Sequence, residues 1–248
     1  GKFVEKNLAE YPQNQLVKLS NTKNKKINLG ILSADLKSDH SITFFLKTIL
    51  SNYNKDDVEI YLFSNQINID SISTEISALV HKTIDISKLN DSNALNKIRQ
   101  FNLDIMIDVM GYTSRNRIGL FKNRVAKKQV LWMGYCNTSG LKNMDYIIAD
   151  RNLIYGNEKD SYSEQVIYLP EIWNTHCGFD FERKEAPPPL IKNNYITFGS
   201  FNNPAKINEN VIDCWSNILK RVKDSKLIIK CSDDKKKFDR IENLMKKK

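Results

Sequence analysis

The chain has 248 residues, of which 41% are hydrophobic and 10% aromatic, and these fractions are typical of a globular protein and exclude a disordered one. The formal net charge is +9, but the lysines are spread along the whole chain, which is typical of a solvated surface. Apolar runs such as Val130-Leu131-Trp132-Met133 are far shorter than the roughly 20 residues that cross a bilayer, which excludes a membrane-spanning helix.

The N-terminal residues 1–26 contain Tyr11-Pro12 and a basic run, and they predict the end of a preceding helical region followed by a linker. No apolar core with a cleavage site resembles a secretion signal, so we expect a cytoplasmic protein. The cysteines lack the two-residue spacing of zinc or redox sites, which favours reduced, isolated thiols. They are Cys136, Cys177, Cys214 and Cys231.

Short apolar runs alternate with helical periodicities from Ile27 to about Pro170. The predicted strands are Ile27–Leu32, Val58–Phe63, Thr83–Ile86, Asp104–Val109, Gln129–Met133, Tyr146–Ala149 and Gln165–Leu169. The predicted helices are Ile42–Leu50, Ser71–Val80, Ser92–Phe101 and a short one near Arg115–Phe121. This alternation predicts an α/β domain over residues 27–170, with a parallel, Rossmann-like sheet covered by helices on both faces.

A second strand and helix series follows a proline-rich stretch. Residues 171–194 contain Pro187-Pro188-Pro189 and little periodicity, which predicts an interdomain linker. Residues 195–248 then predict two strands, an amphipathic helix capped by Asn208, and a lysine-rich final helix. Because a stable α/β domain requires more strands, we expect this part to be the truncated start of a second Rossmann-like domain. The predicted elements are Tyr195–Gly199, Val211–Val222, Lys226–Lys230 and Lys235–Lys248.

In an open α/β sheet, ligands bind beyond the carboxyl ends of the strands, so the loops after the strands are the candidate sites. His40 follows the first strand, and a histidine there suits a general base or a substrate-positioning group, with a surface or capping role as the alternative. After the fourth strand, Gly111 precedes donors that include the Thr113 hydroxyl, which suits a polar ligand such as a sugar. A helix capped by Thr113 or Ser114 explains the same residues.

Two further loops contain candidate residues. Gly134 and Tyr135 lie among glycines and small polar residues that permit close backbone approach to a ligand. Asn203 offers an amide for a base, ribose or phosphate, and Lys206 suits a phosphate, with a solvated lysine as the alternative. No Asp-x-Asp pattern or His/Cys cluster stands at a strand end, so we expect a mechanism without metal.

Together, these loops resemble the catalytic region of the O-linked N-acetylglucosamine transferase and SPINDLY family, in order from about Ile27 to about Lys230. The glycine-tyrosine and phenylalanine-asparagine stretches are the most specific. The matching segments are Leu32-Ser33-Ala34-Asp35 with His40-Ser41, Gly111-Tyr112-Thr113, Leu131–Gly140 with Met144–Ile148, Tyr162-Ser163-Glu164 with Leu169-Pro170, and Phe198–Asn203 with Lys206.

The resemblance implies a GT-B architecture, in which two Rossmann-like domains face each other, with the donor held mainly by the second and the acceptor entering along the first. It implies inverting, metal-independent transfer of N-acetylglucosamine from UDP-GlcNAc, a nucleotide-sugar donor, to serine or threonine of a protein or peptide. Lys206 would neutralise charge on the departing diphosphate, Asn203 would help hold the nucleotide, and His40 matches a proposed base or positioning group. Thr113, Gly134 and Tyr135 fall where the family approaches the transferred sugar and acceptor.

The sequence departs from the family pattern at several positions. Lys127-Lys128 replaces a stretch that usually contains Ala-Pro, Cys136 replaces a common proline, and the loop before His40 is longer than usual. The family's C-terminal donor loops and its N-terminal tetratricopeptide helices are not among these 248 residues. We therefore expect the chain to be inactive alone.

Other functions fit parts of the sequence. A non-catalytic basic module for nucleic acid fits the pI of about 9.2, but no aromatic-basic RNA motif or recognition helix accompanies it. A different Rossmann enzyme would have a glycine-rich dinucleotide fingerprint after a strand, and no predicted strand is followed by one. Fucosyl or glucosyl transfer on the same fold stays open. We expect neither nucleic acid nor a membrane as a partner.

Overall fold

The computed structural model describes residues 26–38, 40–178, 184–230 and 235–247. The predicted N-terminal linker, apart from Lys26, and Cys231 lie outside these described residues. Two compact units divide the chain between residues 179 and 180, inside the segment predicted as a linker. No helix among the described residues is both long and apolar enough to cross a membrane.

The first unit is built on a seven-stranded sheet with the order β3-β2-β1-β4-β5-β6-β7, in which every neighbouring pair is parallel. This order confirms the predicted α/β class and its Rossmann-like topology. The strands are β1 (Ile27–Ser33), β2 (Val58–Ser64), β3 (Lys82–Asp85), β4 (Ile105–Asp108), β5 (Lys128–Leu131), β6 (Tyr146–Ala149) and β7 (Gln165–Tyr168). The α-helices are α1 (Ser41–Asn52), α2 (Ser71–Leu79) and α3 (Asp91–Arg99).

Both faces of this sheet are buried. On β1, Leu32 belongs to one apolar cluster with Phe63 and Met106, whereas its neighbour Ile31 belongs to another with Leu46. Successive strand residues point to opposite faces, so the continuous apolar runs of the sequence supply both clusters. The helices cover these clusters and leave the carboxyl ends of the strands to the loops.

The predicted helix near residues 115–121 differs from the structure, which has a 3-10 helix at Ile118–Lys122. A second 3-10 helix, Gly156–Ser161, lies between β6 and β7. The other three helices of this unit begin at side-chain caps, so their starts follow local sequence signals. The caps are His40, Asp70 and Asn90.

Residues 171–178, part of the predicted linker, pack on the first unit. The Trp132 indole Nε1 donates to the Trp173 carbonyl oxygen at 2.7 Å. The His176 ring stacks on Phe44 of α1 with a centroid separation of 5.2 Å. These contacts extend the first unit past residue 170, the predicted domain end. The segment has no periodicity, but the ring stacking and the indole hydrogen bond attach it to the first unit.

The second unit has two parallel strands, β8 (Thr197–Ser200) and β9 (Lys226–Ile229), in the part that is described. Its small core is formed by Ile207, Ile212 and Ile241. As predicted, the Asn208 side chain caps the long helix by accepting a hydrogen bond from Val211 N at 3.0 Å. The helices are α4 (Pro189–Asn193), α5 (Glu209–Arg221) and α6 (Lys235–Lys246), with a 3-10 turn at Pro204–Lys206.

Candidate functional site

The loops after β1 and β4 begin at the point where the order of the sheet reverses. β1 pairs with β2 on one side and with β4 on the other, so the following loops lead away in opposite directions and leave a crevice between them. At its base, Ala34 N donates to Met110 Sδ at 3.0 Å. His40 and Thr113 lie on these two loops, so the structure places both at the same edge of the sheet.

His40 is the N-cap of α1. Its Nδ1 accepts a hydrogen bond from Ile42 N at 3.3 Å, and its Nε2 lies 3.7 Å from Asp35 Oδ2. A neutral imidazole that accepts at Nδ1 carries its proton on Nε2, which here faces the carboxylate. The capping alternative for His40 is confirmed, and the lone pair that a general base needs is engaged in this arrangement.

Asp108 holds the turn that follows β4. Its carboxylate accepts from Met110 N at 3.1 Å and from Gly111 N at 3.0 Å, while Gly111 has a φ of +55°. The side chain is fully buried, and this burial raises the pKa of Asp108 to about 7 although the two backbone bonds act to lower it. A buried aspartate at a strand end has no local motif, so the sequence does not predict this role for Asp108.

Thr113 lies in the same turn, and its hydroxyl donates to the Met110 carbonyl oxygen at 2.9 Å. The next helix begins only at Ile118 and has no side-chain cap, so the alternative of a helix capped by Thr113 or Ser114 was wrong. The hydrogen of the threonine hydroxyl is therefore already donated to the Met110 carbonyl oxygen. Its oxygen retains acceptor capacity toward a ligand.

Gly134 and Tyr135 bring the loop after β5 against the turn after β4. A Cβ atom added at Gly134 would overlap the Val109 carbonyl oxygen, and one added at Gly111 would overlap the Tyr135 side chain. The Tyr135 ring packs edge to face against the Tyr112 ring, with a centroid separation of 5.5 Å. Glycine is therefore required at both positions by close approach between two loops. The sequence predicted close backbone approach to a ligand at Gly134, whereas the approach seen here is to the Val109 backbone.

The two departures near β5 leave the strand and its loop intact. Lys127 forms an ion pair with Asp104 at 2.7 Å, and β5 begins at the next residue, Lys128. The Cys136 carbonyl oxygen accepts from the Tyr162 hydroxyl at 3.1 Å, a contact that holds the backbone where proline is common in the family. Cys136, Cys177 and Cys214 are free thiols among the described residues, as predicted.

Asn203 and Lys206 lie on a single turn of the second unit, directly after β8. Asn203 Oδ1 accepts from Ala205 N at 3.0 Å, and its carbonyl oxygen accepts from Lys206 N at 3.0 Å. Both side chains are exposed. The structure thus groups the candidate residues in two sets, with this pair in one unit and His40, Thr113, Gly134 and Tyr135 at one sheet edge of the other.

Similarity to known proteins covers most of the chain. The sequence profile of glycosyl transferase family 41 matches residues 3–177. The probable UDP-N-acetylglucosamine–peptide N-acetylglucosaminyltransferase SPINDLY of Solanum lycopersicum is 31% identical over 225 residues, which are 89% of this chain and 24% of that protein. The corresponding probable enzyme SEC of Arabidopsis thaliana is 25% identical over 217 residues, 82% of this chain and 22% of that protein.

Among solved structures, a mutant O-GlcNAc transferase from Thermobaculum terrenum superposes with a TM-score of 0.83 at 24% identity. The match covers 90% of this chain and 42% of that one. This likeness confirms the GT-B-like α/β fold class. The chain spans about a quarter of the length of the curated relatives that it matches.

Proposed function

Since the chain belongs to glycosyl transferase family 41, we propose that it forms part of an enzyme that transfers a sugar from a nucleotide-sugar donor to a protein. The donor we propose is UDP-N-acetylglucosamine and the acceptor is a peptide, as the names of its SPINDLY and SEC relatives specify. Within the peptide, we propose a serine or threonine hydroxyl as the acceptor group. One observation supports the proposal most: the loops after β1, β4 and β5 meet at one edge of the sheet and present His40, Thr113 and Tyr135 there.

The proposed reaction is an inverting displacement without metal. The acceptor oxygen bonds to the anomeric carbon as the bond from that carbon to the nucleotide diphosphate breaks, and the acceptor proton passes to a base. Lys206 stabilises the negative charge on the departing diphosphate, since a fixed cation acts where charge develops. The exposed position of its side chain on the turn after β8 supports this role.

The remaining candidates have binding roles in this proposal. Asn203 contributes to the nucleotide site next to Lys206, and Gly134, held against Val109, places the loop after β5 beside the sugar. Because His40 Nδ1 accepts the cap bond from Ile42, we assign His40 to positioning the substrate. We also assign the Thr113 oxygen and the Tyr135 side chain to positioning the sugar and the acceptor.

The test is an assay of the protein as its gene encodes it, with peptides and a panel of UDP- and GDP-sugars. Lys206→Ala should reduce kcat by roughly 10²- to 10³-fold, the usual effect of removing one transition-state donor. Lys220→Ala removes another exposed lysine of the same unit and should leave the rate unchanged.

The donor panel separates the outcomes. Transfer from UDP-N-acetylglucosamine alone would support the proposed donor, and transfer only from GDP-fucose would correct it. A folded protein that neither transfers nor hydrolyses any donor would overturn the enzyme assignment. The 248-residue chain assayed separately tests our expectation that it is inactive alone.

A further inference from the structure

Glu164 is a buried carboxylate immediately before β7, and only 4% of the residue is exposed. Its oxygens accept hydrogen bonds from Ser139 N at 2.7 Å and from Thr138 Oγ1 at 2.8 Å, and also from the Ser139 hydroxyl. All three donors belong to the loop after β5. Burying a carboxylate is costly unless donors satisfy it, so this side chain and this loop require each other.

The same loop segment is held almost entirely by side chains. Gly140 N donates to Thr138 Oγ1 at 3.0 Å, and Leu141 N donates to the Ser139 hydroxyl at 3.2 Å. Both hydroxyls also bond to Glu164. The segment forms no strand or helix, so these side-chain hydrogen bonds determine its backbone conformation. Since both hydroxyls bond to Glu164, that conformation depends on the glutamate.

From Ser139 the contacts continue to the candidate site. The Tyr112 hydroxyl donates to the Ser139 carbonyl oxygen at 2.6 Å, and the Tyr112 ring packs against Tyr135. Tyr112 stands next to Thr113 in the turn after β4. One carboxylate on the connection to β7 is therefore linked, through a single serine, to the two loops that contain Thr113 and Tyr135.

We propose that Glu164 is a positioning residue for the sugar and acceptor site, acting through Ser139 and Tyr112 on Tyr135. This inference rests on the proposed function and adds to it a residue that contacts neither substrate. A side chain that only filled space would be replaceable by an apolar one of similar size. A positioning residue is replaceable only by a group that still accepts from Ser139.

Three variants separate these roles. Glu164→Met keeps the volume and removes every acceptor, whereas Glu164→Gln keeps one oxygen for Ser139. Glu59→Met is the control, because Glu59 is a partly buried carboxylate of the same unit that accepts from the Tyr61 hydroxyl at 3.0 Å on β2.

Hydrogen exchange of the 248-residue chain tests the structural step. Glu164→Met should accelerate exchange of the Ser139, Gly140 and Leu141 amides at least tenfold, while Val109 N, which donates to Leu32 O inside the sheet, keeps its protection. Unchanged exchange at residues 139–141 would overturn the inference. Equal acceleration at Val109 would also overturn it, because the effect would then be general loss of stability.

Kinetics of the protein as its gene encodes it test the functional step, at a temperature where each variant is folded. Glu164→Met should lower kcat roughly 10²-fold, as expected for a small displacement of binding groups, and Glu164→Gln should restore most of the rate. Glu59→Met should match the wild type. If the wild type transfers sugar and Glu164→Met does so equally well, this inference fails. If the wild type transfers nothing while the exchange result holds, the proposed function fails instead.

Discussion

The two units place their candidate residues by different means. In the first unit, Tyr135 is placed by contacts between distant parts of the chain, among them the approach of Gly134 to Val109 and the bonds between Glu164 and Ser139. In the second unit, Lys206 lies on a three-residue turn that Asn203 closes with its own carbonyl and side-chain oxygens.

The difference indicates how each set should respond to mutation. A site assembled from loops of several strands depends on the packing of the whole sheet, so a change far from the ligand can disturb it. A site on a local turn depends on a few adjacent residues. We therefore expect large, long-range effects in the first unit and small, local ones in the second.

The largest expected effect is that of Gly134→Ala. The new methyl group would overlap the Val109 carbonyl oxygen, which is backbone at the end of β4 and cannot move without disturbing the sheet. We expect a loss of roughly 4 kcal/mol or more in the free energy of unfolding of the first unit, measured by urea denaturation.

Gly156→Ala is the control for that substitution. A Cβ atom at Gly156 would meet open space, and only its φ of +56° opposes alanine, so the loss should be about 1 kcal/mol. If both variants lost similar free energies of unfolding, close approach between the loops would not be what requires glycine at position 134.

The sequence predicts the features that depend on adjacent residues and not those that depend on contacts between distant parts of the chain. Strand and helix positions came from apolar periodicity and local caps, and Asn208 was identified correctly as the cap of α5. Asp108 and the bonds of Glu164 were not identified, because their partners are set by the fold: Glu164 and Ser139 are 25 residues apart. The glutamate stood only inside a stretch that resembled the family.

Two segments escaped prediction for related reasons. Residues 171–178 lack periodicity, yet Trp173 and His176 pack on the first unit through contacts with Trp132 and Phe44. The helix predicted near residues 115–121 is a shorter 3-10 helix, because the turn held by Asp108 and Thr113 precedes it. In both cases tertiary contacts determine the local backbone.

Asp108→Asn should have an intermediate effect that depends on pH. Burial raises the pKa of Asp108 to about 7 from an ordinary value of 3.8, so the folded unit keeps a proton that the unfolded chain has released between these values. The free energy of unfolding of the wild type should therefore fall as the pH rises from about 4 to about 7, by up to about 4 kcal/mol, and then level off.

Asparagine does not titrate, so the variant should lose this part of the pH dependence. It should also be less stable than the wild type near pH 4, since its amide nitrogen cannot accept a hydrogen bond and its single oxygen must replace both acceptors of Met110 N and Gly111 N. Denaturation curves at several pH values measure both effects. A variant that kept the wild-type slope between pH 4 and 7 would show that Asp108 does not titrate in this range.

The smallest expected effect lies in the second unit. Asn208→Ala removes the side-chain acceptor for Val211 N at the start of α5 and should cost about 1 kcal/mol, measured as denaturant unfolding of that unit. Asn217→Ala, on an exposed position of the same helix, should be neutral or slightly stabilising because alanine has the higher helix propensity. Hydrogen exchange at residues 139–141 should be unchanged in both variants. A cap mutation that altered exchange there would contradict the division between a locally built turn and a site built from distant contacts.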